Sequence, residues 1–200
     1  LLQKADAIFR QEVAGAGLEH MPERLDREAI SEELKRVNSE IVKQAHRERN
    51  HMGCTFAGIY FEGRSAICCN VGDSSIYLLR DGTLRKMSYA HTLINQQLRL
   101  GLIGSEAEAP EDIKHTLTQH LGIDPDEFEI EPYFSEVVSA FQGDIFMICS
   151  DGLTDVVEDE SVRNLLMDAD DIEATAVNLV RSAMEKGSRD NITVIVLKVL

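Results

Sequence analysis

Ser65-Ala66-Ile67-Cys68-Cys69-Asn70-Val71-Gly72-Asp73-Ser74-Ser75-Ile76-Tyr77-Leu78-Leu79-Arg80-Asp81-Gly82 is the stretch whose pattern decides the fold class. Two runs rich in aliphatic, aromatic and Cys residues flank a Gly-Asp-Ser cluster, and the second run stops at Asp-Gly. Runs of that length bounded by turn residues predict β-strands, and Gly at a turn tolerates positive φ without a Cβ clash. Similar runs lie on either side, so strands are expected over residues 55–61, 65–71, 75–79 and 84–88, with hairpin turns at Glu62-Gly63 and Asp81-Gly82. Residues 53–88 therefore read as an antiparallel meander. Adjacent Cys68 and Cys69 point to opposite faces of their strand. Asp81 is fully explained by its turn and is set aside as a ligand.

Upstream, Ile30, Leu34, Val37, Ile41 and Ala45 recur at helical spacing and lay one apolar stripe on a helix, with Asp26 or Ser31 as its cap. Residues 1–13 carry a helical pattern, and the Gly- and Pro-containing residues 14–24 read as a loop between two helices. Downstream, residues 90–125 are less regular. A helical piece over 92–100 leads into a polar, acidic stretch of the kind that forms a mobile flap. A buried strand is expected over 144–150, then helices over 159–167 and 172–186, the latter stopped by Gly187. Residues 193–200 are almost wholly β-branched or Leu and predict a central strand buried on both faces. The layout is α+β, with helices covering one sheet or a pair of sheets.

Two hundred residues suit one domain with a full core. The net charge of −15 repels phosphate backbones and argues against nucleic acid as a partner. No apolar run reaches the roughly 18 residues of a membrane span. The first residues do not read as a signal peptide, and with no initiator Met the chain is expected to begin inside a longer one. Cys54, Cys68, Cys69 and Cys149 lie in strand-like runs without paired metal spacing, which fits reduced, mostly buried thiols in a cytoplasmic protein rather than zinc ligands.

Three aspartates share a context that suits a hard cation. Asp73 ends one strand, Asp151 ends another, and Asp190 immediately precedes the final strand. Each has Gly, Ser or Asn beside it, so the backbone can turn sharply where a buried strand surfaces. Carboxylates fixed at strand ends offer the oxygen ligands that Mg²⁺ and Mn²⁺ require. Asp155 follows Asp151 by four residues and shares its face if the chain turns helical at Gly152, with about 5–6 Å between Cβ atoms. Like charges so close repel, and a divalent ion removes that penalty. Taken singly, each aspartate is better read as a turn or cap residue. The histidines offer less: His115 and His120 are five apart and do not form a two-His metal motif, while His20, His46 and His51 sit in polar surroundings. Neither a G-x-S-x-G elbow, nor a P-loop, nor a Cys-based phosphatase loop with a following Arg occurs.

Three segments resemble signatures of the 2C-type metal-dependent protein phosphatases. Asn70-Val71-Gly72-Asp73-Ser74 is similar to the family's V-G-D-S turn, Ser150-Asp151-Gly152-Leu153-Thr154-Asp155 to its S-D-G-L-x-D segment, and Gly187-Ser188-Arg189-Asp190-Asn191-Ile192-Thr193 to its G-S-x-D-N-I-T segment. Weaker likenesses lie at His51-Met52-Gly53-Cys54-Thr55 and His115-Thr116-Leu117-Thr118-Gln119-His120-Leu121-Gly122. Their order and separation fit over residues 34–200, closest to the short bacterial-type members, and the three strong segments in that order are specific.

The resemblance implies a β-sandwich of two packed antiparallel sheets with helices on both sides. It further implies hydrolysis of phosphoserine and phosphothreonine in proteins by water held between two Mn²⁺ or Mg²⁺ ions, with a third ion held more weakly. By positional match Asp151 and Asp190 bind the catalytic metals, Asp73 and Asp155 match positions linked to the third, and Gly152 and Asn191 support them. Phosphorylated proteins, together with a Ser/Thr kinase and its targets, are the implied partners in signal transduction. The family's first metal ligand, in a D-G-x-G-G segment, and its phosphate-binding Arg lie upstream of a helix like residues 1–13. No Asp-Gly-x-Gly occurs in these 200 residues. Ala90 precedes His91 where many relatives have Asp-His, and Ser75 stands where an Arg is common. The domain is thus expected to lack its first strands, and this chain alone to bind metal poorly and turn over slowly or not at all. A non-catalytic phosphatase-like sensing or docking domain is the alternative. An acidic α+β binding domain whose motifs are mere turns is disfavoured by their order.

Overall fold

A computed structural model describes residues 25–110, 113, 115–169 and 171–200; the helix and loop expected over 1–24 lie outside these residues. Helix α1 (Arg27–Glu48) begins where Asp26 accepts hydrogen bonds from the Glu28 and Ala29 amides at 3.0 and 3.2 Å. The carboxylate thereby satisfies two donors that the first helical turn leaves without partners. Of the predicted stripe, Ile30, Leu34, Val37 and Ala45 are buried, and Ile41 packs beside them.

Four strands follow: β1 (Phe56–Glu62), β2 (Ser65–Val71), β3 (Ser75–Arg80) and β4 (Thr83–Lys86). The β1–β2 hairpin turns at Gly63-Arg64, between the paired Glu62 and Ser65. The β3–β4 hairpin turns at Asp81-Gly82, both residues at positive φ, as expected. The expected meander is corrected, because the two hairpins belong to different sheets. The break falls at Gly72, whose φ of +103° lets the chain leave one sheet for the other. A Cβ there would also lie 2.4 Å from Thr55 Cγ2, so the corner is open only to glycine.

Helix α2 (Leu93–Arg99) is capped by Thr92, and short strands β5 (Tyr133–Phe134) and β6 (Val138–Ser139) both pair with β2. The remainder comprises β7 (Ile145–Cys149), the one-turn helix α3 (Asp151–Thr154), helices α4 (Asp159–Met167) and α5 (Ile172–Glu185), and β8 (Val194–Lys198). One antiparallel sheet runs β1-β2-β5 with β6 also on β2, and the other runs β4-β3-β7-β8.

Side-chain alternation explains the layering. Cys69 and Val71 of β2 face Ile30, Leu34 and Val37 of α1. Ala66 and Cys68 face the opposite way, onto Ile76, Leu78 and Phe146 of the second sheet. Tyr77 and Leu79 of β3 then point outward beneath Leu153, Val162, Leu166 and Leu179. The result is helix on sheet on sheet on helices, so β2, β3 and β7 are apolar on both faces. One expectation fails at β8, which is an edge strand among the described residues. Val194 and Val196 pack on the helical side, while Ile195 and Leu197 are 46% and 40% exposed. A β-branched run marks a strand but says nothing of how many neighbours it has.

Candidate metal centre

The sequence segments singled out above converge at one end of the sandwich. Asp73 follows the Gly72 corner, which is clamped from below. The buried Asn70 side chain donates to the carbonyls of Gly72 and Tyr89, at 3.0 and 2.7 Å, and accepts from the Tyr89 amide. His91 Nδ1 accepts from the Gly72 amide at 3.0 Å, and the His91 amide donates to the Gly72 carbonyl. An accepting Nδ1 requires the neutral imidazole. Burial agrees, since it pushes the His91 pKa down.

Asp151 opens α3 directly after β7, and its Oδ1 accepts from the Gly152 amide at 2.8 Å. The Asp155 amide donates to the Asp151 carbonyl at 2.9 Å, which closes a helical turn and places both carboxylates on one face as the spacing predicts.

Residues 188–193 are stitched to this turn. Ser188 Oγ donates to the Gly152 carbonyl at 2.7 Å, Ser150 Oγ donates to the Asn191 carbonyl at 3.0 Å, and the Thr193 amide donates to Ser150 Oγ at 3.0 Å. A Cβ on Gly152 would lie 2.5 Å from the Asn191 carbonyl oxygen, so this approach also demands glycine. Asp190 is held by the Asn191 amide, which donates to its Oδ1 at 2.6 Å. Asn191 thus acts through its backbone in the contacts recorded.

Electrostatics ties the carboxylates into one neighbourhood. The Asp73 pKa is raised by burial first and then by the negative charges of Asp151 and Asp155. That of Asp155 is raised by burial, opposed by His115, and raised further by Asp151 and Asp190. Asp73 thus feels Asp151 and Asp155, and Asp155 feels Asp151 and Asp190, so Asp155 links carboxylates drawn from three strand ends. A tighter group lies inside this set: one ligand atom each from His115, Asp151 and Asp155 lies within 4.8 Å of the others. Sequence reading gave His115 no role, because its partners are remote in sequence and no local spacing marks it.

Two carboxylate oxygens and an imidazole nitrogen at that separation form a donor set that fits a divalent cation, and the mutual repulsion of the aspartates favours one. A thiol nucleophile is not available in the core, where burial drives the Cys69 and Cys149 pKa values up to about 12. The two weaker sequence likenesses also meet: the Cys54 and Leu121 backbones exchange hydrogen bonds at 3.0 and 2.9 Å. These pin residues 115–122 to the sandwich.

A helix-flanked sandwich of two antiparallel sheets with an acidic centre at one end is the architecture of metal-dependent protein phosphatases, and comparison with known proteins agrees. The family profile "Protein phosphatase 2C" matches residues 10–97. The serine/threonine phosphatase stp of Listeria welshimeri is 31% identical over 171 residues, which cover 84% of this chain and 66% of the relative. Among solved structures, the Mycobacterium tuberculosis serine/threonine phosphatase PstP superimposes with a TM-score of 0.79 at 29% identity, over 93% of this chain and 79% of that one. A structure of the PstP catalytic domain in complex with two manganese ions gives a TM-score of 0.74 at 30% identity, over 93% and 78%. The chain belongs to the protein phosphatase 2C family. It spans just under two thirds of the length of the Listeria relative.

Proposed function

We propose that this chain is a single phosphatase domain and that the protein hydrolyses phosphoserine and phosphothreonine in proteins. The observation that carries the reading is the convergence of Asp73, Asp151, Asp155 and Asp190 from three separate strand ends in a member of this family. Asp151 and Asp190 would hold the catalytic ions, with Asp155 and Asp73 around a weaker third position. Bound there, Mn²⁺ or Mg²⁺ supplies an activated water at neutral pH and neutralises charge on the phosphoryl oxygens.

The protein's own contribution is placement. Gly152 admits the Asn191 carbonyl, so that Asp190 stands beside the Asp151 turn. The Asn191 and Gly152 amides each orient one carboxylate through a hydrogen bond, leaving its second oxygen directed by the first. The Gly72 corner fixes where Asp73 emerges.

Phosphorylated proteins are the substrates in this reading, and a Ser/Thr kinase with its targets the natural counterpart. No helix among the described residues is long and apolar enough to cross a membrane, and the buried thiols of Cys68, Cys69 and Cys149, none in a disulfide, favour the cytoplasm. One observation favours a second reading, a phosphatase-like sensing or docking domain: Ala90 precedes His91 where the family resemblance implies Asp-His in many members.

The deciding experiment is Mn²⁺-dependent hydrolysis of p-nitrophenyl phosphate and of phosphopeptides by the full-length protein, with Asp151→Asn and Asp190→Asn beside it. The proposal expects activity in the wild type and a loss of at least about 100-fold in both variants. Full activity in both variants overturns the metal assignment. A full-length protein inactive on every phosphopeptide favours the docking reading instead.

A further inference from the structure

We propose that His115 is a metal ligand of this centre, supplying an imidazole nitrogen to an otherwise all-oxygen site and biasing it toward first-row divalent metal ions such as Mn²⁺, Co²⁺ and Zn²⁺ over Mg²⁺. The inference rests on the metal-centre reading above and adds to it the ligand that sequence spacing did not single out.

The geometry points this way. His115 Nδ1 lies 3.6 Å from Asp155 Oδ2, too far for a hydrogen bond. Ligands about 2.1 Å from a common ion stand about 3.0 Å apart when adjacent and about 4.2 Å apart when opposite. The observed 3.6 Å falls between these values, and the third atom of the group, on Asp151, lies within 4.8 Å of both. An ion between the three would require side-chain adjustments of under about 1 Å.

The backbone that carries the imidazole is anchored. The Thr118 amide donates to the His91 carbonyl at 2.8 Å, the Leu93 amide donates to the Thr116 carbonyl at 2.8 Å, and Leu121 pairs with Cys54. The histidine therefore reaches the centre from a fixed segment. It is exposed, so packing does not account for its direction. Imidazole nitrogen is a poor partner for Mg²⁺ and a good one for the later divalent ions, which is the physical origin of the bias. It also links residues 115–122 to the carboxylates of α3, so ion binding holds that segment against the site.

The ordinary competitor is a surface ion pair between protonated His115 and Asp155, worth at most about 1 kcal/mol and needing no metal. Electron spin-echo spectroscopy of the full-length protein loaded with Mn²⁺ separates the two, because a coordinated imidazole imposes nitrogen modulation on the Mn²⁺ signal. The expected result is modulation in the wild type that disappears in His115→Ala and persists in His120→Ala. Mn²⁺ affinity in His115→Ala should fall about tenfold, with a smaller loss for Mg²⁺. Modulation absent from the wild type, or unchanged in His115→Ala, overturns the proposal. Asp151→Asn tests the underlying reading separately: if it binds Mn²⁺ as the wild type does, the carboxylate centre fails whatever the nitrogen signal shows.

Discussion

Replacing Gly152 by Ala puts a methyl group into the contact that holds the two halves of the centre together. The new Cβ would lie 2.5 Å from the Asn191 carbonyl oxygen, 3.1 Å from its carbon and 3.4 Å from Ile192 Cγ1. Relief to an ordinary contact near 3.4 Å requires the 188–193 segment to retreat from α3 by about 0.9 Å. The hydrogen bonds that join them span 2.7 to 3.0 Å, and such a retreat carries them beyond normal reach. Overpacking at about 1–3 kcal/mol, plus about 1 kcal/mol for each of the three weakened bonds, amounts to roughly 4–6 kcal/mol. For a domain of this size, that lowers Tm by about 10–25 °C. Asp190 rides on the displaced segment, so Mn²⁺ affinity should fall by about 10- to 100-fold, as when a ligand's support is removed. Thermal melts and isothermal titration with Mn²⁺ measure the two effects. Gly63→Ala is the control: its Cβ meets nothing within 4 Å, so only backbone strain at φ +59° is added and metal binding should not change. A Gly152→Ala chain with wild-type Tm and wild-type Mn²⁺ affinity would refute the argument that this close approach positions Asp190.

Two further outcomes follow from charges held by the fold. Arg80 donates through Nε and Nη2 to the two oxygens of Asp144, at 2.8 and 2.7 Å, with the Asp144 side chain only 3% exposed. Burial acts to raise the Asp144 pKa, but Arg80 and the Phe141 amide more than offset it and hold it below the usual carboxylate range. The pair thus stabilises the fold above about pH 4 and loses that contribution as pH falls through the lowered value, while Arg80→Met should cost about 3 kcal/mol in a urea melt at pH 7. His91 has the same sign for a different reason: burial depresses its pKa below 6.5, so folding favours the neutral ring. Stability should fall as pH drops below about 6.5, and Tm measured from pH 8 to 5 should lose that slope in His91→Gln.

The legibility of the fold varied with how local its cause was. Helix α1 was readable because its stripe and its Asp26 cap lie within one turn-by-turn pattern. Both hairpin turns were readable because Gly at positive φ is a local demand. Strands β5 and β6 were missed, since two residues carry no periodicity. The placement of β3 in a second sheet was missed as well, because Gly72 permits the corner but does not say where the chain goes next. Residue spacing marked Asp151 and Asp155 as neighbours on one turn, and the structure places them so.

Chemistry written into nearby residues is what the sequence determined by itself: strand ends that surface at aspartates, helix caps, turns, and the family likeness that orders them. Tertiary structure alone decided which remote residues meet, namely His115 with Asp151 and Asp155, and the Asn191 carbonyl with Gly152. The physical reason is that backbone periodicity has a range of a few residues. A ligand set is completed by packing two sheets and their helices, which no short window of sequence records.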